Sequence, residues 1–173
     1  MSLAVVVPVF QEAAGITPTL RALAGQRDGD VDVFFVDNGS TDGSGDVIRA
    51  FAATHGLTRW HVIHEAQKGT GAAADTGMRA AIAAGATMLA RTDADCLPRA
   101  DWTAAVRRAL TPRAEGGLGL RLVGGELVPR RDEGVGVLTR AALRGAVRLA
   151  EAFGRIRPGN RGREYLGPYM MAA

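Results

Sequence analysis

Apolar residues come in short blocks separated by polar, glycine-rich stretches. Residues 3–10, Leu-Ala-Val-Val-Val-Pro-Val-Phe, are continuously apolar and β-branched in the middle. A strand covered on both faces reads this way. Pro8 cannot donate to a ladder, so the strand is expected to end there. Thr17-Pro18 reads as an N-cap followed by proline at the first helical position. Ile16, Leu20, Leu23 and Ala24 then form an apolar stripe that Gly25 stops. Val31–Val36 is a second strand ending at Asp37. The run Asn38–Gly45 is dense in turn residues, and a helix follows with Val47, Ile48 and Phe51 inward and Gly56 as terminator. Trp60–His64 is a third strand. Gln67–Gly71 opens an alanine-rich helix carrying Met78 and Ile82 and closed by Gly85. Residues 86–92 are a fourth strand.

The first 95 residues therefore read β-α-β-α-β-α-β. This alternation predicts an α/β fold with parallel strands, right-handed crossovers and helices on both faces. Beyond Pro98 a helix is expected to about Leu110, with Trp102, Val106 and Leu110 on one face. Residues 117–129 read as strand with a kink at Gly124-Gly125, 137–156 as an amphipathic helix, and 165–173 as the start of another strand. No repeat or long linker divides the chain, so one domain is expected over residues 1–173.

Composition changes this picture little. The 173 residues suffice for one core, and 47% hydrophobic and 23% charged content are ordinary. The one cysteine, Cys96, excludes an internal disulfide and fits a reducing compartment. No secretory signal and no 20-residue apolar span are visible, so a cytoplasmic location is expected. The formal charge is +3, and Lys68 is the one lysine. Arginines crowd the last third and point to an anionic partner. Nucleic acid is not expected, because aromatic interleaving and binding motifs are missing. Through its arginines the 137–156 helix offers a peripheral membrane contact at the inner face. The alternative is a helix packed on the sheet with a solvated basic side.

The chemistry concentrates at Asp93-Ala94-Asp95, where the fourth strand gives way to a turn. Carboxylates at strand ends face the crevice in which open α/β sheets bind ligands. Two of them one residue apart repel each other unless something positive lies between. A hard divalent cation carrying a diphosphate meets that need. Asp37 and Lys68 fall at strand C-terminal ends too. His55, His61 and His64 lack metal-ligand spacing and read as structural.

Four stretches together resemble family 2 glycosyltransferases of the GT-A fold: Val5–Glu12, Val36–Ser44, Lys68-Gly69 with Ala74-Asp75-Thr76-Gly77, and Asp93-Ala94-Asp95. The resemblance covers about residues 3–128. It implies a Rossmann-like three-layer α/β/α sandwich around a mostly parallel sheet. Residues 1–95 would be the nucleotide-binding half and 96–173 a partial acceptor-side half. It implies transfer of a sugar from a nucleoside-diphosphate sugar to an acceptor hydroxyl, with inversion, a hexosyltransferase type of activity, and a Mn2+ or Mg2+ cofactor. The acceptor, whether saccharide, lipid or another hydroxyl compound, stays open. By the same resemblance Pro8 and Phe10 flank the base, and Glu12 completes the first motif. Asp37 bonds the base, and Lys68 opens a basic segment beside the nucleotide. Asp93 lies near the ribose and the metal, Ala94 belongs to the nucleotide-sugar site, and Asp95 is the main metal ligand, with Asp93 beside it.

Two departures from the family pattern stand out. Asp75 replaces the usual asparagine and reads as a plain helix-face carboxylate. The family's general base has no counterpart here and is expected beyond Ala173, as in a truncated chain with little turnover. Three rival readings remain. Gly69-Thr70-Gly71-Ala72-Ala73-Ala74 fits a dinucleotide fingerprint and would make the chain an NAD(P)-binding oxidoreductase fragment. A sugar nucleotidyltransferase would need a glycine-rich loop after the first strand, which Phe10–Ala14 is not. A non-catalytic nucleotide-sugar-binding domain is the third.

Overall fold

The structure is a computed structural model that describes residues 1–125, 145 and 170–172. The chain divides into two compact units, Met1–Leu122 with Ala172–Ala173, and Val123–Met171. The first is built from β1 (Leu3–Val9), α1 (Thr17–Ala24), β2 (Val31–Asp37), α2 (Ser44–Thr54), β3 (Trp60–His64), α3 (Thr70–Ala83), β4 (Met88–Arg91) and α4 (Trp102–Leu110). In the second, the described residues are β5 (Val123–Gly125), Gly145 in helical conformation, and the first two residues of β6 (Met170–Ala172). The 137–156 helix predicted from the sequence lies outside the described residues, Gly145 excepted.

The four strands of the first unit run parallel in the order β3-β2-β1-β4, and Ala172 pairs antiparallel with Ala90 at the β4 edge. Strand β1 is the centre, and all seven of its residues are buried. Its alternate residues serve opposite faces. Ala4 and Val6, with Phe34 and Val36 of β2, pack against Ala73 and Ala81 of α3. Val5 and Val33 turn the other way, sharing a small cavity of about 110 Å³ with Leu23 of α1 and Thr103 of α4. On that face Trp60 also packs at a tilt against Phe35 and stacks on Phe51 of α2. Three layers result, with α3 on one side of the sheet and α1, α2 and α4 on the other.

Several local expectations need correction. Helix α1 begins at Thr17 itself, with Ile16 as N-cap and no side-chain cap. The backbone is already wound there, because Ile16 N–H donates to Glu12 O at 2.9 Å and Leu20 N–H to Ile16 O at 3.0 Å. Pro8 does not end β1; it is paired in register with Val36, and the strand runs on to Val9. Thr92 N–H donates to Val6 O, whereas Asn38 N–H donates to Val9 O, so even-numbered β1 residues face β4. The β4 pairing stops at Arg91 opposite Val6, and the proline therefore deprives no ladder of a donor.

In α4 the buried residues are Thr103, Val106 and Ala109, and Trp102 and Leu110 are half-buried. Of the inward set expected for α2, only Ile48 is fully buried, and Ala24 in α1 is exposed. Residues 117–122 are not strand. Leu118 and Leu120 N–H bond the free carbonyls of Arg108 and Ala109 at 2.9 Å, so this segment caps α4.

The alanine-rich character of α3 has a packing cause. A Cβ on Gly77 would lie 2.7 Å from Val36 Cγ2 and closer still to Val6 Cγ1, so the helix rests almost directly on the sheet. Gly71, in the first turn of the same helix, faces open space. Gly77→Ala should destabilise the chain by about 1–3 kcal/mol through overpacking, outweighing the helix-propensity gain of about 1 kcal/mol. Gly71→Ala should leave stability unchanged or raise it by up to about 1 kcal/mol. Urea midpoints of the two variants provide the comparison; equal midpoints would mean that α3 does not sit this close.

Candidate functional site

The strand order defines where a ligand fits. β1, β2 and β3 step outward in one direction, and β4 then returns to the far side of β1. The chain reverses direction between β1 and β4, and their C-terminal ends open the crevice typical of a topological switch point. A cleft of about 290 Å³ lies there. Pro8, Phe10 and Glu12 come to it from the end of β1, and Asp93, Ala94 and Asp95 from the end of β4. Asn38 and the first turn of α3, at Thr70 and Ala73, complete the wall. Phe10 is 52% exposed, an aromatic face left open at the cleft. Six residues singled out in the sequence thus meet in one place. Asp37 and Lys68 are not in its wall.

The loop after β1 is held by the turn after β2. Gln11 adopts a φ of +55°, a conformation that costs roughly 1–2 kcal/mol for a residue with a Cβ. Its side chain offsets this. Nε2 donates to Thr41 Oγ1 at 3.0 Å, and Oε1 accepts from Thr41 N–H at 2.9 Å. Glu12 N–H donates to Ser44 Oγ at 2.8 Å, and Ala13 N–H to Asp42 Oδ2 at 2.9 Å. Asp42 in turn accepts the Ser44 hydroxyl at 2.6 Å. These bonds to the Ser44 side chain and two N–H groups hold its carboxyl below the usual range. Burial, then the charges of Asp95 and Asp42, push the Glu12 carboxyl up.

Asp37 accepts the Ser40 N–H at 2.8 Å, the bond of an Asx-turn. Asn38 organises the next loop. It is buried, and its Nδ2 donates to the carbonyls of Glu65 at 3.0 Å and Gln67 at 2.6 Å. Its Oδ1 accepts the Gly69 N–H at 2.7 Å. Three bonds from one amide thereby fix the loop that carries the exposed Lys68 into α3. In the sequence alone Asn38 reads only as a turn former. Its signal was present, since an asparagine directly after a strand-end aspartate is well placed to clamp a neighbouring loop.

Asp93, Asp95 and Cys96 each offer a ligand atom, all within 4.8 Å of one another. Two carboxylates this close, at a strand end in a cleft, fit a hard divalent ion. The thiol fits poorly. Sulfur suits softer metals than the hard ion that two carboxylates favour. Arg91, which no sequence motif marks out, donates from Nη2 to Asp93 Oδ1 at 3.1 Å. Asp75 is exposed and pairs with Arg79 at 2.7 Å along the helix, as expected of a helix-face carboxylate. His61 stacks on Phe34 and lies 3.5 Å from Asp32, a structural setting. The dinucleotide fingerprint fares worse. Gly69–Gly71 follows β3, the outermost strand, instead of a strand bordering the switch point. Among the described residues no helix is long and apolar enough to cross a membrane.

Comparison with known proteins agrees with this geometry. A relative, Glycosyltransferase AglE of Haloferax volcanii, is 33% identical over 125 residues, covering 71% of this chain and 38% of the relative. Among solved structures, the mannosyltransferase PcManGT of Pyrobaculum calidifontis, in complex with GDP-Man and Mn2+, is 32% identical. It aligns with a TM-score of 0.53 over 61% of this chain and 31% of that one. Glucosyl-3-phosphoglycerate synthase of Mycobacterium tuberculosis, with Mn2+, UDP and phosphoglyceric acid, shares the fold at 21% identity and a TM-score of 0.57, over 99% of this chain and 55% of that one. The chain therefore spans between about a third and somewhat over half the length of these proteins. Residues 4–125 match the family described as Glycosyl transferase family 2, and the protein belongs to that family, with a GT-A-type α/β fold.

Proposed function

We propose that the protein transfers a glycosyl group from a nucleoside-diphosphate sugar to an acceptor hydroxyl, with inversion. The observation that carries this reading is the cleft at the switch point. There the acids ending β4 share one wall system with Pro8, Phe10 and Glu12. Support comes from the relatives. The 32%-identical mannosyltransferase was solved with GDP-Man and Mn2+.

Asp95 and Asp93 would hold the divalent ion, Mn2+ or Mg2+. When bound, such an ion supplies Lewis-acid stabilisation of charge on a departing diphosphate. The chain's own residues do the rest. Phe10 and Pro8 offer an apolar platform to the nucleoside, and the backbone at Ala94 borders the ribose. Asp37 accepts hydrogen bonds from the base, and Lys68 attracts phosphate from the cleft's margin. The acceptor oxygen bonds to the anomeric carbon as the bond to the diphosphate oxygen breaks, the electron pair leaving with the diphosphate. The acceptor's proton passes to a base for which no described residue is assigned.

Asp95→Ala should weaken the binding of UDP or GDP with Mn2+ at least tenfold while leaving thermal unfolding unchanged, as calorimetry and a melting curve would show. Unchanged metal-dependent affinity would remove the cation from Asp95. Glu12 adds a pH signature. With its pKa raised by burial and by Asp95, it takes up a proton at a higher pH than an ordinary glutamate. A cation beside Asp95 favours the carboxylate, so binding expels that proton. Mn2+–nucleotide affinity should therefore fall on acidification from pH 7 towards about 5, ahead of ordinary carboxylates. Glu12→Gln should flatten the upper part of that profile, and an unaltered profile would show that Glu12 does not sense the ion.

A further inference from the structure

We infer that Arg91 decides which of the two acids is free to take the cation: it holds Asp93 as an ion pair and leaves Asp95 as the open ligand. The inference rests on the reading of Asp93 and Asp95 as the cation-holding pair, and it adds a positioning residue to that site.

Three observations point the same way. Arg91 is the last residue of β4 and lies in register with Val6, on the α3 face of the sheet. Asp93 follows two residues on, within reach of the guanidinium, whereas Asp95 lies further along in the turn that leaves the strand. The contact is real by distance, 3.1 Å from Nη2 to Oδ1, between side chains 32% and 42% exposed. Asp95, by contrast, is exposed and has no basic partner among the described residues.

The consequence concerns the ion alone. A carboxylate oxygen engaged by arginine is a poorer metal ligand, and a fixed positive charge beside the site repels a dication. Arg91 therefore lowers affinity for a free ion. An ion that arrives with a diphosphate carries compensating negative charge, and the penalty is then smaller. The arginine favours the metal–nucleotide complex over the bare metal.

The test is calorimetric or paramagnetic titration of the intact chain with Mn2+ alone. Arg91→Met should bind Mn2+ roughly three- to tenfold more tightly than the wild type. Arg91→Gln, which retains a hydrogen-bond donor but no charge, should behave alike and covers the case in which the methionine variant folds poorly. Arg91→Lys should remain near the wild type. Adding Asp93→Asn to either neutral variant should abolish the gain. A merely structural role predicts weaker binding, so the direction is diagnostic. Equal or weaker Mn2+ binding by both neutral variants overturns the role of Arg91. A wild-type chain that binds Mn2+ neither alone nor with UDP or GDP overturns the cation reading as well.

Discussion

Parallel strands are joined by crossovers of one hand, and this constraint creates the cleft before any functional residue is chosen. While the chain steps from β1 to β2 to β3, its helices stay on one face of the sheet. To place β4 against the free edge of β1, α3 must travel back across the sheet, and keeping the same hand forces it onto the opposite face. The loop leaving β1 leads to α1 and the loop leaving β4 leads to α4, both on the face away from α3. What lies between their strand ends is a gap lined by Pro8, Phe10 and Glu12 on one side and by Asp93–Asp95 on the other. Gly77 belongs to the same constraint, because the returning helix must cross the middle of the sheet closely enough to cover β1 and β2 together.

A gap is not yet a site, and the polar loops around it supply rigidity without a hydrophobic core of their own. Gln11 is held in an unfavourable backbone conformation by reciprocal bonds to Thr41. Asn38 clamps the 65–69 loop with both of its amide N–H donors and its side-chain oxygen in use. Glu65 carries the clamp further, accepting the Gln67 N–H at 2.6 Å and the Thr76 hydroxyl of α3. These bonds lower the pKa of Glu65, the Thr76 hydroxyl contributing most. Side-chain-to-backbone bonds of this kind fix loops that cannot bury enough apolar surface to order themselves.

The order and type of the first seven elements were readable from hydrophobic blocks and glycine punctuation, because β1 to β4 and α1 to α3 each follow one periodicity. Boundaries were less readable, and the causes are specific. Pro8 reads as a strand end only if a neighbouring strand needs its N–H, and whether β4 extends that far is a tertiary fact. Thr17 has the composition of a cap, yet the preceding turn from Glu12 had already wound the chain. Residues 117–122 carry alternating glycine and leucine that mimic a strand, although their N–H groups go to the carbonyls ending α4. At the site, the residues with chemistry of their own were legible, and those acting through others were not. Asp93 and Asp95 announce themselves by spacing. Asn38 and Arg91 matter only through partners that sequence distance does not reveal, 27 to 31 residues away for Asn38 and two residues away, across a strand end, for Arg91.

The charges around the cleft form a graded set. Asp93 is compensated by Arg91, Asp42 is held by hydrogen bonds from Ala13 and Ser44, and Asp37 is engaged by its own turn. Asp95 is exposed and Glu12 carries a raised pKa, so these two groups hold the uncompensated negative potential facing the cleft. Such potential is costly to leave unanswered and would repel a bare diphosphate. In the proposed function a dication entering together with that diphosphate would relieve it, its positive charge answered by Asp95 and the diphosphate's negative charge by Lys68 and the first turn of α3, whose amides favour anions. On the proposed function, a preference for the metal–diphosphate pair over either component alone would follow from where the acids are compensated, not from how many there are.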